Sequence, residues 1–97
     1  MIVLPNPDKE ARNRAKHGWG FERVAEMFTH PLLDEPDDRP LGYEHEGRIR
    51  ALGRIVARVV VLVFEPVEVA DGDLAVRPIS LRDATRAEER AYWKHVR

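Results

Sequence analysis

The sequence contains no cysteine among its 97 residues. This absence excludes a disulfide framework, a thiolate nucleophile and a thiolate metal site. Long hydrophobic runs are missing too: the longest, at residues 59–64, has six residues, whereas a membrane-spanning helix needs about 20. Residues 1–5 lack the basic region and the long apolar stretch of a signal peptide. We therefore expect a cytoplasmic protein that does not contact a membrane.

Several familiar catalytic signatures are also missing. The histidines lack the paired spacing of a metal site; they are His17, His30, His45 and His95. There is no phosphate-binding glycine loop and no arrangement of Ser, His and Asp that indicates nucleophilic catalysis. We expect neither a bound metal nor a cofactor.

Charged residues are plentiful but nearly balanced, with 16 Lys and Arg against 17 Asp and Glu and a net charge of −1. Their distribution is uneven. Residues 34–47 hold six acids and one arginine, whereas residues 48–97 hold ten basic residues and seven acids. A positive surface in the C-terminal half is therefore compatible with the balanced total. Taken one at a time, most of these charges are typical of solvated surface.

Local signals predict a short strand at residues 2–4 and then two helices. Asn6 can cap a helix that begins with Pro7 and runs to about Lys16. Gly18 can end this helix in the left-handed conformation. Apolar residues at i, i+3, i+4 and i+7 predict a second helix over residues 21–28. The acidic residues 34–47, with their prolines and glycines, are expected to form a loop.

The second half of the chain has the pattern of a sheet. Strands are expected at residues 48–54, 58–64 and 74–79, the second at the centre of the sheet because it is apolar on both faces. Pro78 cannot donate to a ladder, so its strand is an edge there or carries a bulge. Asp83 or Ser80 is expected to cap a last helix over residues 84–95. The predicted fold is α+β, with a mostly antiparallel meander, in a single domain of residues 1–97.

His17 and Lys16 stand at the predicted end of the first helix. Imidazole is the side chain that exchanges protons near neutral pH, so His17 is a candidate acid or base. Lys16 can bind a phosphate. The alternative is that His17 only caps helix carbonyls and that Lys16 is solvated.

A set of arginines lies on or beside the predicted strands: Arg48, Arg50, Arg58, Arg77 and Arg82. Forked guanidinium groups bind phosphates through paired hydrogen bonds. The period of a strand places Arg48 and Arg50 on one face. For each arginine alone, a polar outer sheet face or an ion pair with the acidic loop is the favoured interpretation. The set as a whole indicates phosphate binding.

Two residues of the last helix are further candidates. Glu88 and Tyr92 are four residues apart and therefore share a face. Tyr92 can stack on a base or hydrogen-bond a phosphate, although an aromatic residue at this spacing also suits core packing.

Motifs of one known family follow each other along nearly the whole chain. The first third carries Pro7-x-Lys9, Asn13, Lys16-His17-Gly18, Phe21, Ala25 and Phe28. The rest carries Arg48, Gly53, Arg58 and Arg77-x-Ile79-Ser80-x-Arg82-x-Ala84-Thr85-Arg86, with Glu88, Arg90 and Tyr92. In these residues the chain resembles the BrnT toxins of bacterial type II toxin–antitoxin systems. It departs from them in Pro5-Asn6-Pro7, where Trp-Asp-Pro is usual, and at His30 and Pro78.

The resemblance implies a RelE-like ribonuclease toxin that cleaves RNA without a metal and so inhibits translation. It also implies an antitoxin partner similar to BrnA, of the ribbon-helix-helix type, through which the toxin meets DNA only indirectly. The acidic residues 34–46 are a place where a basic antitoxin segment can dock, a hypothesis from charge alone.

Residue roles follow from the resemblance together with the chemistry of the side chains. We expect His17 to act as acid or base with help from Lys16. Arg77 and Arg82 are expected to stabilise charge on the phosphorus oxygens, and Arg48 to clamp a phosphate. We expect RNA contacts from Arg50, Arg58 and Tyr92, and a supporting role for Glu88.

Two other functions compete with this one. A degenerate toxin would bind its antitoxin or RNA without cutting, and histidine and arginines would then serve only binding and packing. A DNA-binding regulator is disfavoured, because no basic recognition helix with helix-turn-helix spacing is present.

Overall fold

The computed structural model describes residues 1–36, 47–69 and 72–96. Within these ranges the chain forms helices and one five-stranded sheet, which confirms the α+β class. The elements in chain order are β1 (Ile2–Val3), α1 (Pro7–His17), α2 (Val24–Met27), β2 (Leu33–Pro36), β3 (Ile49–Ile55), β4 (Arg58–Glu68), β5 (Leu74–Asp83) and α3 (Arg86–His95). None of the helices in the described ranges has the length and apolar character needed to span a membrane. The RelE-like assignment stays a prediction.

The sheet has the strand order β1-β5-β4-β3-β2. Strands β2 to β5 pair antiparallel, and β1 adds to β5 in parallel. The expectation that the apolar run at residues 59–64 lies at the centre is confirmed, because β4 is the middle strand and these residues are all buried. A strand that is buried on both faces does not need polar residues at every second position.

The two faces of the sheet are covered by different parts of the chain. On the α2 face, the turn before α2 and α2 itself bring Phe21, Val24 and Met27 onto a core that includes Leu62. On the α3 face, Tyr92 packs in a second cluster formed by Leu52, Val59 and Val61.

The predicted ends of α1 are confirmed by their hydrogen bonds. The Oδ1 atom of Asn6 accepts from the backbone N–H groups of Asp8 and Lys9, at 2.9 and 3.1 Å, and Pro7 is the first helical residue. Gly18 ends the helix with φ 78°, a left-handed conformation that a residue with a Cβ rarely adopts.

The prediction that Asp83 or Ser80 caps the last helix is wrong. Both residues still belong to β5, so their backbones are committed to the extended strand. Thr85 is the cap instead: its hydroxyl accepts from the N–H of Glu88 at 3.2 Å, and the Glu88 carboxylate accepts from the N–H of Thr85 at 2.8 Å. This is a capping box.

Two further predictions need correction. Only Val24–Met27 of the expected helix over residues 21–28 is an α-helix, because the chain turns at residues 21–23 after Gly20. The expected loop over residues 34–47 begins with a strand: in β2, Leu33 pairs with Leu52 and Pro36 with Ile49. An edge strand tolerates a proline that cannot donate. The remainder of that loop, residues 37–46, lies outside the described residues.

Pro78 stands at an irregularity of β5, as expected for a proline in a sheet. Ser80 lies opposite Val63, but Phe64 lies opposite Pro78, so Ile79 is an extra residue in the ladder. The predicted bulge is therefore confirmed.

Candidate active site

The α3 face of the sheet also carries four of the predicted arginines. Three rows of paired residues run across this face. In the first row, Leu52 of β3 lies beside Val61 of β4, which lies beside Arg82 of β5. In the second row the corresponding residues are Arg50, Val63 and Ser80. In the third row, Glu65 of β4 lies beside Arg77 of β5. Arg48 adjoins the third row, because its Nε atom lies 3.5 Å from Oε1 of Glu65. The register thus places arginines of β3 and β5, together with Arg48 just before β3, on one face on either side of β4.

Two carboxylates lie among these arginines, and each of them contacts two. Glu65 is 3.5 Å from Arg48 and 3.7 Å from an NH group of Arg77. Glu88, from α3, accepts two hydrogen bonds from Arg82, at 2.8 and 3.0 Å, and lies 3.6 Å from Arg50. We call the six residues Arg48, Arg50, Arg77, Arg82, Glu65 and Glu88 the arginine face. Four cations and two anions leave it positive, as an anion-binding surface requires.

Glu88 has a strongly lowered pKa. The hydrogen bonds from Arg82 hold the pKa of Glu88 down at about 2, although partial burial acts in the opposite direction. The backbone N–H of Thr85 also lowers this pKa. Glu88 therefore stays ionised near neutral pH. Its place in the site is to orient Arg82 and Arg50, while its Thr85 contact fixes the start of α3.

His17 and Lys16 lie in a separate groove at the rim of the arginine face. The groove has a volume of about 340 Å³ and runs between α1 and β5. It is lined by Lys9, Arg12, Asn13, Lys16, His17, Ile79 and Ser80. Ser80 lies in the same row of the sheet as Val63 and Arg50, so the groove borders the arginine face there. The His17 ring makes no hydrogen bond or ion pair with any other described residue.

Asn13 joins α1 to the sheet, a role that the sequence analysis missed. Its side-chain amide donates to the carbonyl oxygens of Trp19 and Leu81, at 2.7 and 2.8 Å, and its Oδ1 accepts from the Leu81 N–H at 3.0 Å. The amide thus occupies the place of a neighbouring strand along the edge of β5. The signals in the sequence were its place among the residues of the family resemblance and its position in a predicted helix, one turn before His17.

Arg58 lies apart from the other predicted arginines. Its Nε atom is 3.4 Å from Asp83, and its guanidinium carbon lies 5.8 Å from the centre of the Trp19 ring. The Trp19 indole N–H donates to the same Asp83 carboxylate at 3.1 Å. Arg58 alternates with Val59 along β4, so it lies on the α2 face with Val60, on the opposite side of the sheet from the arginine face. The arginine face and the Arg58 cluster are thus distinct surfaces.

The expectation that Tyr92 contacts RNA needs correction. The side chain is fully buried in the core of the α3 face, and its hydroxyl donates to the carbonyl oxygen of Pro31 at 2.9 Å. A buried ring cannot stack on a base, so core packing, the other reading of its helical spacing, describes this residue.

The described part of the chain contains no cluster of three or more His, Asp or Glu side chains suited to a metal ion. The family model for the ribonuclease toxin BrnT of type II toxin–antitoxin systems matches residues 6–88. None of the curated proteins compared with the chain matches it. The matched range includes the whole arginine face and the His17 groove.

Proposed function

Because the chain belongs to the BrnT family of ribonuclease toxins of type II toxin–antitoxin systems, we propose that the arginine face and the His17 groove together form its RNA cleavage site. The proposal includes cleavage without a metal and, in the cytoplasm, inhibition of translation. It rests on one observation above all. Four arginines meet on one sheet face, and the one candidate acid–base side chain lies in the groove that borders that face at Ser80.

The proposed reaction is a transesterification. A base takes the proton of a ribose 2′-hydroxyl, and the 2′-oxygen forms a bond to the adjacent phosphorus. The bond from phosphorus to the 5′-oxygen breaks, and an acid gives that oxygen a proton. The products are a 2′,3′-cyclic phosphate and a 5′-hydroxyl. His17 is assigned one of the two proton transfers, with Lys16 beside it to bind the phosphate.

The arginines supply the electrostatic part of the reaction. Negative charge grows on the non-bridging oxygens of the phosphate as the 2′-oxygen attacks, and fixed guanidinium groups stabilise it. Arg77 and Arg82 take this role, and Arg48 and Arg50 bind the phosphate. Glu65 and Glu88 hold the four side chains in place before RNA binds, so that less freedom is lost on binding.

A type II toxin has an antitoxin partner, which the family description names as part of the system. We propose that this partner is a BrnA-like ribbon-helix-helix protein. Contact with DNA would then come only through the antitoxin.

The first experiment is cleavage of a defined RNA by the purified protein in the presence of a chelator. Fragments with 2′,3′-cyclic phosphate and 5′-hydroxyl ends are the expected products. His17→Ala should abolish cleavage while RNA binding persists, and His95→Ala, which removes an exposed histidine at the end of α3, is the matched control. RNA left intact by the wild-type protein, but still bound, would instead support the non-catalytic binding module.

A further inference from the structure

One face of α1 carries three cations that have no acidic partner among the residues that the structure describes. Lys9, Arg12 and Lys16 follow each other at helical spacing and line the His17 groove. None of the three side chains forms a hydrogen bond or an ion pair with another described residue. No acidic residue is found among the described residues that line this groove. We call these three residues the α1 cation row.

The other charged side of α1 is different. Arg14 lies 3.0 Å from Glu22 and 4.0 Å from Glu10, so its charge is matched within the fold. Arg23, in the turn before α2, likewise makes a two-pronged contact with Glu26 at 2.7 and 3.0 Å. The cations of this region that lack an acidic partner among the described residues are therefore concentrated on the groove side of α1. A negatively charged ligand bound there would neutralise them.

The length and position of the row indicate the kind of anion. Seven residues of helix separate Lys9 from Lys16, a rise of about 10 Å. Such a row is too long for a single phosphate and suits a chain of them. It starts beside His17, in the groove that borders the arginine face at Ser80, so one strand can pass from one surface to the other.

We propose that the α1 cation row binds the backbone phosphates of the RNA strand that flanks the cleaved bond. This inference rests on the proposed ribonuclease function and adds two binding residues to it, Lys9 and Arg12. The contacts are to phosphate, so they strengthen binding without reading the base sequence. Their contribution depends on salt, because each phosphate contact releases bound counterions.

The test uses an RNA oligonucleotide with 2′-O-methyl riboses, which keeps every phosphate but removes the attacking hydroxyl. Its dissociation constant is measured by fluorescence anisotropy over a range of salt concentrations. The variant Lys9→Gln/Arg12→Gln should bind more weakly, and its plot of log K against log salt should be shallower by about 1.4, about 0.7 for each lost contact. The control Arg14→Gln/Arg23→Gln removes the same number of charges from residues that already have partners, and its slope should match the wild type.

The outcomes separate this inference from the function on which it rests. If the two double variants give equal slopes of log K against log salt, and the wild-type protein cleaves ordinary RNA, only the proposed role of the α1 cation row is overturned. A wild-type protein that neither cleaves RNA nor binds the methylated oligonucleotide would overturn both. Unchanged RNA binding by Lys9→Gln/Arg12→Gln, with loss of antitoxin binding, would assign the row to the antitoxin and also refute the proposal. Thermal unfolding of each variant verifies that it is folded.

Discussion

Replacement of Asn13 by leucine should destabilise the protein much more than a surface substitution does. Leucine has the branched shape of asparagine and suits a helix, so α1 can still form, and its bulkier methyl groups can only add to the cost. It removes the amide that is hydrogen-bonded to both backbone groups of Leu81 and to the carbonyl of Trp19. Asn13 is only 6% exposed, so water has little access to these backbone groups once the amide is gone.

The size of the effect follows from the three bonds. A net loss of about 1 kcal/mol for each gives about 3 kcal/mol, and backbone groups left without partners raise this figure. For a domain of this size, a loss of about 3 kcal/mol lowers the melting temperature by roughly 12–24 °C. It is also a large share of the roughly 5–15 kcal/mol that stabilises a typical domain.

Asn6→Ala is the matched control. Asn6 also accepts two backbone hydrogen bonds, but it lies on the exposed start of α1, and loss of such a cap costs about 1 kcal/mol. Urea titrations followed by circular dichroism give both values, provided that the m-value stays constant. A cost for Asn13→Leu equal to that of Asn6→Ala would refute the reasoning, because the buried edge of β5 would then not depend on the amide.

The remaining predictions concern α3. Because the pKa of Glu88 is lowered from 4.5 to about 2, the stability that Glu88 contributes is present above about pH 4.5 and is lost as the pH falls towards 2. Glu88→Gln should therefore be less stable than the wild type at pH 6, and the difference should shrink by pH 2.5; an unchanged difference in urea titrations would contradict this. Tyr92→Phe should lose the hydroxyl bond to Pro31 and about 1 kcal/mol of stability, with unchanged binding of the methylated RNA; weaker RNA binding would show that Tyr92 does reach the substrate.

Local chemistry made α1 and β4 predictable. The cap of α1 is an asparagine followed by proline, and its end is a glycine, so each boundary depends on residues within one turn. The run at residues 59–64 has to be buried on both faces, which places it in the middle of any sheet that forms. Where a signal is local, no distant contact is needed to interpret it.

The second helix and the start of β2 were less predictable. The apolar spacing over residues 21–28 correctly indicated the burial of Phe21 and Val24, but burial does not require a continuous helix. Residues 34–36 have the composition of a loop and become a strand because β3 offers them a free edge. That pairing is a long-range contact.

The sequence by itself determined the fold class, the ends of α1, the central strand and the types of side chain available for phosphate chemistry. Only the tertiary structure decided how those side chains meet. The register of β3, β4 and β5 brings Arg48, Arg50, Arg77 and Arg82 to one face, and Glu65 and Glu88 hold them there. Register depends on hydrogen bonds between residues far apart in the chain. A sequence pattern of period two therefore predicts on which face of the sheet a side chain lies, but it does not predict which residue of the next strand lies beside it. For the same reason, only the packed structure separates Arg58 from this site and buries Tyr92.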